Sequence, residues 1–292
     1  MKTKGIILAA GKGTRLMPAT IPTSKPLLPL YDKPMIYYPL ETLVRLGIKD
    51  ILLICTSKDI DSYKSLLENG SKWGINIQYK IQKSPRGIAD AFILGEKFIG
   101  GDSICLILGD NIFYGLDFSH QLNNVVERTT YGSEATIFGY TVKDPHRYGV
   151  IEFDEKRNPI SIEEKPKNPK SKQAVVGLYF YPNSVIQVAK SISPSERGEL
   201  EISDINKYFL KKKKLIVETL GRGFAWLDTG TPESLLKAGQ FIETIEKRQG
   251  VKVGCLEEIA FKKGFITKRQ LIKQAEALKG TSYGDYLLND YR

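Results

Sequence analysis

Five short apolar runs rich in β-branched residues recur along this chain: GIILAA (5–10), DILLICT (50–56), INIQYKIQ (75–82), SICLILGD (103–110) and EATIFGYTV (134–142). Between them lie amphipathic stretches, PMIYYPLETLVRLG (34–47), DIDSYKSLLENG (59–70) and IADAFILGEKFIG (88–100), each closed by glycine. Runs of this length read as strands, and a glycine just past the last apolar turn is a helix stop. Strands alternating with helices leave few architectures open. They predict βαβ units and a buried, mainly parallel sheet. Right-handed crossovers then put helices on both faces, giving an α/β fold.

The texture changes near residue 149. GVIEFDEKRNPISIEEKP reads as two strands around a polar turn at 154–159, and AVVGLYFYP (174–182) supplies another. These predict an antiparallel insertion beside the main sheet. Asn183 is expected to cap a following helix, and FAWLDTG (224–230) returns as a strand. Thr231-Pro232 then reads as an N-cap with proline at the first helical position. Residues 250–292 read as a helical appendage with exposed basic residues. The expected division is one domain over 1–249, with parts near 1–148 and 149–231, and a C-terminal segment over 250–292.

With 292 residues, 41% of them hydrophobic and 26% charged, the chain has the balance of a globular protein with a sizeable core. No apolar run approaches the roughly 18 residues of a membrane helix. The start, MKTKGIILAAGKG, mimics a signal peptide, but its apolar stretch runs straight into Lys12 and Arg15 and reads as a first strand. Cys55, Cys105 and Cys255 are odd in number, and the first two lie in strand-like runs. Reduced thiols in a cytoplasm are expected. The net charge of +10 raises nucleic acid as a partner, but the lysines are scattered and the densest run, 211–214, closes an expected helix. Positive charge equally suits a small substrate with several phosphates.

The stretch LAAGKGTRLMPATIPTSKPLLPL (8–30) sets a glycine turn after the first strand. Glycine lets backbone N–H groups approach an anion. A Walker A loop needs Ser or Thr after Gly-Lys, and Gly13 follows Lys12. A dinucleotide fingerprint needs a third glycine where Leu16 stands, and a helix where Pro18, Pro22, Pro26, Pro29 and Pro34 forbid one. What remains is a proline-stiffened excursion carrying Arg15 and Lys25 over the carboxyl end of the first strand. A guanidinium fork and a lysine point charge there can clamp a triphosphate, although an exposed lysine on an ordinary turn fits the spacing as well.

Gly11-Lys12-Gly13-Thr14-Arg15-Leu16 followed by Ser24-Lys25-Pro26 resembles the signature of the sugar nucleotidylyltransferases. The similarity is greatest to the short-form glucose-1-phosphate thymidylyltransferases. It runs on through YDKPMIYYPL (31–40), LGDNIFYG (108–115), DPHRYGVIEF (144–153), EEKPKNPKS (163–171), RGELEISDIN (197–206), GRGFAWLDTGT (221–231) and EEIAFKKGFI (257–266). One such motif is weak; the ordered set spans nearly the whole chain.

The resemblance implies a Rossmann-like sheet with a nucleotide-binding part, a sugar-binding insertion and a C-terminal oligomerisation or regulatory segment. It implies dTTP and glucose 1-phosphate as substrates, dTDP-glucose and pyrophosphate as products, and Mg²⁺ as cofactor. The attacking group is already a phosphate oxygen, so no nucleophilic side chain is needed, which suits a chain with only His120 and His146. The protein must instead align two polyanions and stabilise the leaving pyrophosphate. Asp110 and Asp228 are expected to hold the metal; either alone reads as a turn or cap aspartate. The resemblance assigns catalysis to Arg15, Lys25, Asp110 and Lys165. It assigns the nucleotide to Leu8, Gly11, Gly13, Thr14, Arg15, Lys25, Gln82, Pro85, Gly87, Gly109 and Asp110. The sugar phosphate falls to Tyr148, Gly149, Glu164, Lys165, Val175, Arg197 and Trp226, of which Tyr148, Val175 and Trp226 suit a strand core equally well. A glutamine amide at position 82 complements the imide edge of thymine or uracil.

The chain departs from the pattern near the expected base site. Pro26 replaces a usual glutamine, Arg86 stands in S-P-R-G where S-P-D-G is usual, and G-I-A-D-A (87–91) stands for G-L-A-Q-A. The S-K-P form is common in relatives that use UTP, so a uridylyltransferase is the nearest alternative. An inactive regulatory relative is another, although Arg15, Lys25, Asp110, Lys165 and Asp228 are all present. Nucleic acid and membrane are not expected as partners. The short form also implies a homotetramer in a cytoplasmic pathway of polysaccharide precursors, with a feedback site for the final nucleotide sugar. Tyr114, Gly115, Arg222, Glu258, Ile259 and Lys262 match that site, lysine standing at 262 where arginine is usual.

Overall fold

The computed structural model describes residues 2–115 and 118–291, with only the backbone of Ser119 and His120. In chain order the strands are β1 (Thr3–Ala9), β2 (Pro29–Leu30), β3 (Lys33–Pro34), β4 (Asp50–Cys55), β5 (Asn76–Ile81), β6 (Ser103–Leu108) and β7 (Asn111–Tyr114). They continue with β8 (Ala135–Thr141), β9 (Gly149–Phe153), β10 (Pro159–Glu164), β11 (Gln173–Tyr181), β12 (Leu215–Leu220) and β13 (Ala225–Asp228). The helices are α1 (Tyr37–Arg45), α2 (Ile60–Leu67), α3 (Asp90–Leu94), α4 (Glu96–Ile99), α5 (Phe118–Tyr131) and α6 (Val185–Ser191). After them come α7 (Ile202–Lys211), α8 (Pro232–Gln249), α9 (Leu256–Lys262), α10 (Lys268–Ala277) and α11 (Ser282–Tyr291). Strands paired in parallel and flanked by helices give the expected α/β class. The chain forms two compact units: Met1–Leu8, Gln82–Leu108 and Tyr114–Trp226 in the first, Ala9–Ile81, Gly109–Phe113 and Leu227–Arg292 in the second.

In the first unit, β1 and β6 pair in parallel from Thr3 opposite Ser103 to Leu8 opposite Leu108. Both strands are almost wholly buried, as apolar runs without alternation require. The hydroxyls at their start satisfy one another: Thr3 Oγ1 lies 3.0 Å from Ser103 Oγ and 2.7 Å from Thr130 Oγ1 on α5. β11 joins the other edge of β6 antiparallel and also pairs with β8 and β9, shifting register between Val175 and Tyr179 along β8. β12 adds in parallel to β8, and β10 to β9 in antiparallel. The segment expected to lie beside the sheet is therefore hydrogen-bonded into it through β11.

Two local expectations are corrected. The amphipathic stretch 88–100 forms two short helices, α3 and α4, that meet at Gly95. Asn183 does not cap α6; its side-chain amide donates to the carbonyls of Gly100 at 2.6 Å and Asp102 at 3.1 Å, and Ser184 takes the cap position. The amide is thereby tied to the loop between α4 and β6.

In the second unit β4 and β5 pair in parallel and β2 and β3 form a small hairpin. α8 starts as expected, with Pro232 at its first position and a reciprocal capping box between Thr231 and Ser234. Gly250, in the left-handed region, ends it. Residues 250–291 belong to this unit. Trp73 Nε1 donates to Glu257 Oε1 at 2.9 Å, and Glu257 also accepts from the Tyr283 hydroxyl. Leu30, Met35, Tyr38, Ile112, Ala238 and Ile242 make one core cluster; Cys255, Ala275, Tyr283, Leu287 and Leu288 make another. All three cysteines are free and buried. Burial pushes the Cys55 thiol up to about 12 and the other two upward as well, so none is a ready thiolate. No helix among the described residues is long and apolar enough to cross a membrane.

Candidate active site

In the second unit the excursion after β1 contains no regular helix before α1, only single turns at Thr14–Leu16 and Lys25–Leu27. Gly13 adopts φ 62°, which glycine takes without strain, and its carbonyl accepts from Thr20 Oγ1 at 2.8 Å and Leu16 N at 2.9 Å. Gly11, Thr14 and Arg15 are exposed on this loop. A Cβ at Gly11 would meet nothing within 4 Å, so the backbone there is open to a ligand. Lys25 is fixed from both sides. Ser24 Oγ lies 2.7 Å from the Tyr63 hydroxyl on α2, and the carbonyl of Pro26 accepts from Ile36 N at 2.8 Å.

Lys25 is buried, and its ammonium donates to Asp110 Oδ2 at 2.8 Å. Asp110 follows β6 by two residues, after the buried Gly109, and its other oxygen accepts from Asn111 Nδ2 at 2.9 Å. Thr229 Oγ1 donates to the Asp110 carbonyl at 3.1 Å, which draws the end of β13, and with it Asp228, to Asp110. Lys25, Asp110 and the Asp228–Thr229 turn thus meet. Among the described residues no three His, Cys, Asp or Glu side chains gather to hold a metal. Two carboxylates are few for a closed protein cage, but they suit a hard cation that keeps water and substrate oxygens. The Lys25 ammonium at Asp110 shows that this carboxylate accommodates positive charge.

The first unit gathers the residues expected at the sugar phosphate. A Cβ added to Gly149 would lie 3.3 Å from Ser203 Oγ, 3.4 Å from Glu164 Oε2 and 3.5 Å from Val175 Cγ2, so these groups surround that backbone. Glu164 accepts from the Ser203 hydroxyl and has Lys165 Nζ and Arg197 Nη2 each 3.6 Å away. Lys165 takes φ 43° at the end of β10, and its N–H donates to the Tyr148 carbonyl at 3.0 Å. Tyr148 packs edge-on against Trp226 with centroids 5.0 Å apart, and Tyr140 does so at 6.0 Å. Arg197 forks onto Glu201 at 2.8 and 2.9 Å. Burial opposes its charge, but Glu201, Glu199 and Glu164 outweigh burial and raise its pKa. Ser203, Glu201 and Tyr140 were not expected here. Only RGELEIS (197–203), with two glutamates after the arginine, hinted at the first two.

Gln82, the residue after β5, is buried and donates from Nε2 to Asp90 Oδ2 at 2.9 Å. The exposed turn at Pro85 and Arg86 is tied to the 197–203 segment: Leu200 N donates to the Arg86 carbonyl at 2.7 Å, and Ala89 N to the Leu200 carbonyl at 3.2 Å. Gly87 lies under this bridge with φ 97°, and a Cβ there would stand 2.4 Å from the Leu200 carbonyl oxygen. Gly87→Ala is expected to destabilise the protein by about 2 kcal/mol or more through backbone strain and this clash. A thermal midpoint within a degree of wild type would refute that. Leu8 ends its pairing opposite Leu108, so the carboxyl ends of β1 and β6 open together, the edge at which α/β sheets bind ligands.

Of the residues matching a feedback site, Tyr114, Gly115 and Arg222 lie in the first unit and Glu258, Ile259 and Lys262 in the second. Gly115 packs against the Phe224 ring, and Arg222 is exposed. Glu258 is buried and accepts from Lys262, from the Tyr286 hydroxyl at 2.9 Å and from the Tyr291 hydroxyl at 3.0 Å. The His120 side chain lies outside the described residues.

The sequence model of the nucleotidyl transferase family matches residues 4–245. A glucose-1-phosphate thymidylyltransferase of Neisseria gonorrhoeae is 55% identical over 286 residues, covering 98% of both chains. One from Mycolicibacterium smegmatis is 52% identical over 285 residues, again 98% of each. A solved chain from Bacillus anthracis, provisionally named glucose-1-phosphate thymidylyltransferase, superposes with a TM-score of 0.76 at 40% identity, covering 82% of this chain and 94% of that one. Nucleotidyl transferases generally use a divalent metal. The Lys25–Asp110 pair beside the Asp228–Thr229 turn, the glycine turn with its basic residues and similarity over almost every residue lead to one conclusion: this chain belongs to the nucleotidyl transferase family, among the glucose-1-phosphate thymidylyltransferases.

Proposed function

We propose that this enzyme transfers the thymidylyl group of dTTP to glucose 1-phosphate, releasing pyrophosphate. A phosphate oxygen of the sugar phosphate forms a bond to the α-phosphorus as the bond from that phosphorus to the bridging β-phosphate oxygen breaks. No proton need be taken from the attacking oxygen, so the work falls on binding and charge. Arg15 and Lys25 hold the triphosphate, the glycines at 11 and 13 bring backbone N–H groups to it, and Gln82 with Gly87 reads the base. Lys165 and Arg197 hold the sugar phosphate, and Glu164 accepts from sugar hydroxyls. Asp110 and Asp228 would hold Mg²⁺, which when bound supplies positive charge against the phosphates. The reading rests most directly on the Lys25 ammonium at Asp110, since a lysine kept beside a carboxylate is poised to exchange it for phosphate. A homotetramer in the cytoplasm, with a second nucleotide-sugar site at Tyr114, Gly115, Arg222, Glu258, Ile259 and Lys262, belongs to the same proposal.

Pyrophosphate release from dTTP, UTP, CTP and ATP, each with glucose 1-phosphate and Mg²⁺, tests the assignment. The largest kcat/KM is expected with dTTP. A preference for UTP would move the enzyme to the uridylyltransferases, and turnover with none would remove the catalytic reading.

A further inference from the structure

Asp90, the first residue of α3, is buried to 2% exposure. Its Oδ2 accepts from Gln82 Nε2 at 2.9 Å. Its Oδ1 is buried with no hydrogen-bond partner, and the nearest cation, Arg86 Nη1, stands 3.7 Å away on the adjoining turn. A carboxylate accepts hydrogen bonds and does not donate them. The two ends of a glutamine amide are nearly the same shape, so only a neighbour with a fixed preference can choose between them. Here the choice is forced, because turning the amide over would set Gln82 Oε1 against the Asp90 carboxylate, two acceptors in a buried place.

We propose that Asp90 is a positioning residue that fixes the Gln82 amide in the orientation that selects bases bearing an N3–H and rejects cytosine. The inference rests on the reading of Gln82 as the residue that meets the base. With one Nε2 hydrogen held by Asp90, Gln82 presents Oε1 and its remaining N–H outward. That pair matches the N3–H donor and adjacent carbonyl acceptor of thymine or uracil. Cytosine carries the reversed pair, an N3 acceptor beside an amino donor. It can be read only by the inverted amide, which Asp90 forbids. Arg86 offsets the buried charge from the solvent side and leaves the Oδ2 contact to Gln82.

The test is kcat/KM for dTTP, UTP and dCTP in wild type, Asp90→Asn and Gln82→Ala. An asparagine can donate or accept, so Asp90→Asn is expected to lower the dTTP:dCTP ratio about tenfold or more while leaving dTTP:UTP unchanged. A purely structural loss would depress all three nucleotides together. If Gln82→Ala collapses the dTTP:dCTP ratio and Asp90→Asn preserves it, the role of Asp90 is overturned and the reading of Gln82 stands. If Gln82→Ala leaves the ratio unchanged, Gln82 does not read the base, and both fall. Should Asp90→Asn not fold, equilibrium binding to wild type decides: dCTP must bind about tenfold or more weakly than dTTP and UTP, and equal binding overturns the proposal.

Discussion

Asp110→Asn is expected to lower kcat about a thousandfold, equivalent to roughly 4 kcal/mol of transition-state stabilisation. The side chain is isosteric and keeps an acceptor for Asn111, so the fold should survive. What disappears is the negative charge that pairs with Lys25 at 2.8 Å. Lys25 is buried, and without the Asp110 carboxylate its ammonium has lost the partner that holds it. Two effects follow from one substitution: weaker metal binding and a displaced lysine. Adding Lys25→Met to Asp110→Asn should therefore cost far less than the product of the single losses, because residues acting as a unit are not additive. Single-turnover pyrophosphate release across a Mg²⁺ titration measures this. An Asp110→Asn rate within tenfold of wild type at saturating metal would show that Asp110 does not support the chemistry.

Some of this arrangement was legible in the chain because its causes are local. The proline spacing rules out a helix after Gly13, and single turns are found there. Thr231-Pro232 caps α8 because the capping box is written within four residues. The parts that stayed hidden depend on partners far along the chain. Asn183 has the form of a cap, yet two carbonyls more than 80 residues earlier claim its amide. Ser203 reaches Glu164 across 39 residues, and no local pattern distinguishes it from an ordinary helical serine. Gln82 could be named from its motif, but the residue that turns its amide came into view only when α3 set Asp90 behind it. Tyr148, Val175 and Trp226, for which core and site readings were both open, are found in packed positions around Gly149 and Tyr140. A strand-lined site uses its lining as core, so composition cannot separate the two roles.

Glu246→Ala is expected to destabilise the protein by about 3–5 kcal/mol, the usual result of removing one partner from a buried ionic network. Glu246 Oε1 accepts from Lys33 Nζ and from the Val253 N–H, each at 3.0 Å, and Oε2 accepts from Lys252 Nζ at 2.7 Å. Asp32 completes two negative and two positive charges by bridging the same lysines. Lys33 also stands 5.3 Å from the Tyr38 ring and 5.6 Å from the Tyr283 ring. The network therefore fastens the β2–β3 hairpin, the end of α8, the segment before α9 and α11. Alanine at 246 leaves two buried ammoniums to one aspartate and a backbone N–H unpaired. Replacing charge by apolar bulk is different, so Lys33→Met with Glu246→Leu should recover most of the loss. Acid provides an independent check. Burial alone would raise the Asp32 pKa, but Lys33 and Lys252 override it and hold it below the ordinary 3.8. Its contribution is then fully present above that value and is lost as pH falls through the lower folded one. Asp32→Asn should lower the thermal midpoint near neutral pH and narrow its gap to wild type progressively below about pH 4. A gap of constant size from pH 7 to pH 2 would mean that the charge of Asp32 contributes nothing to the fold.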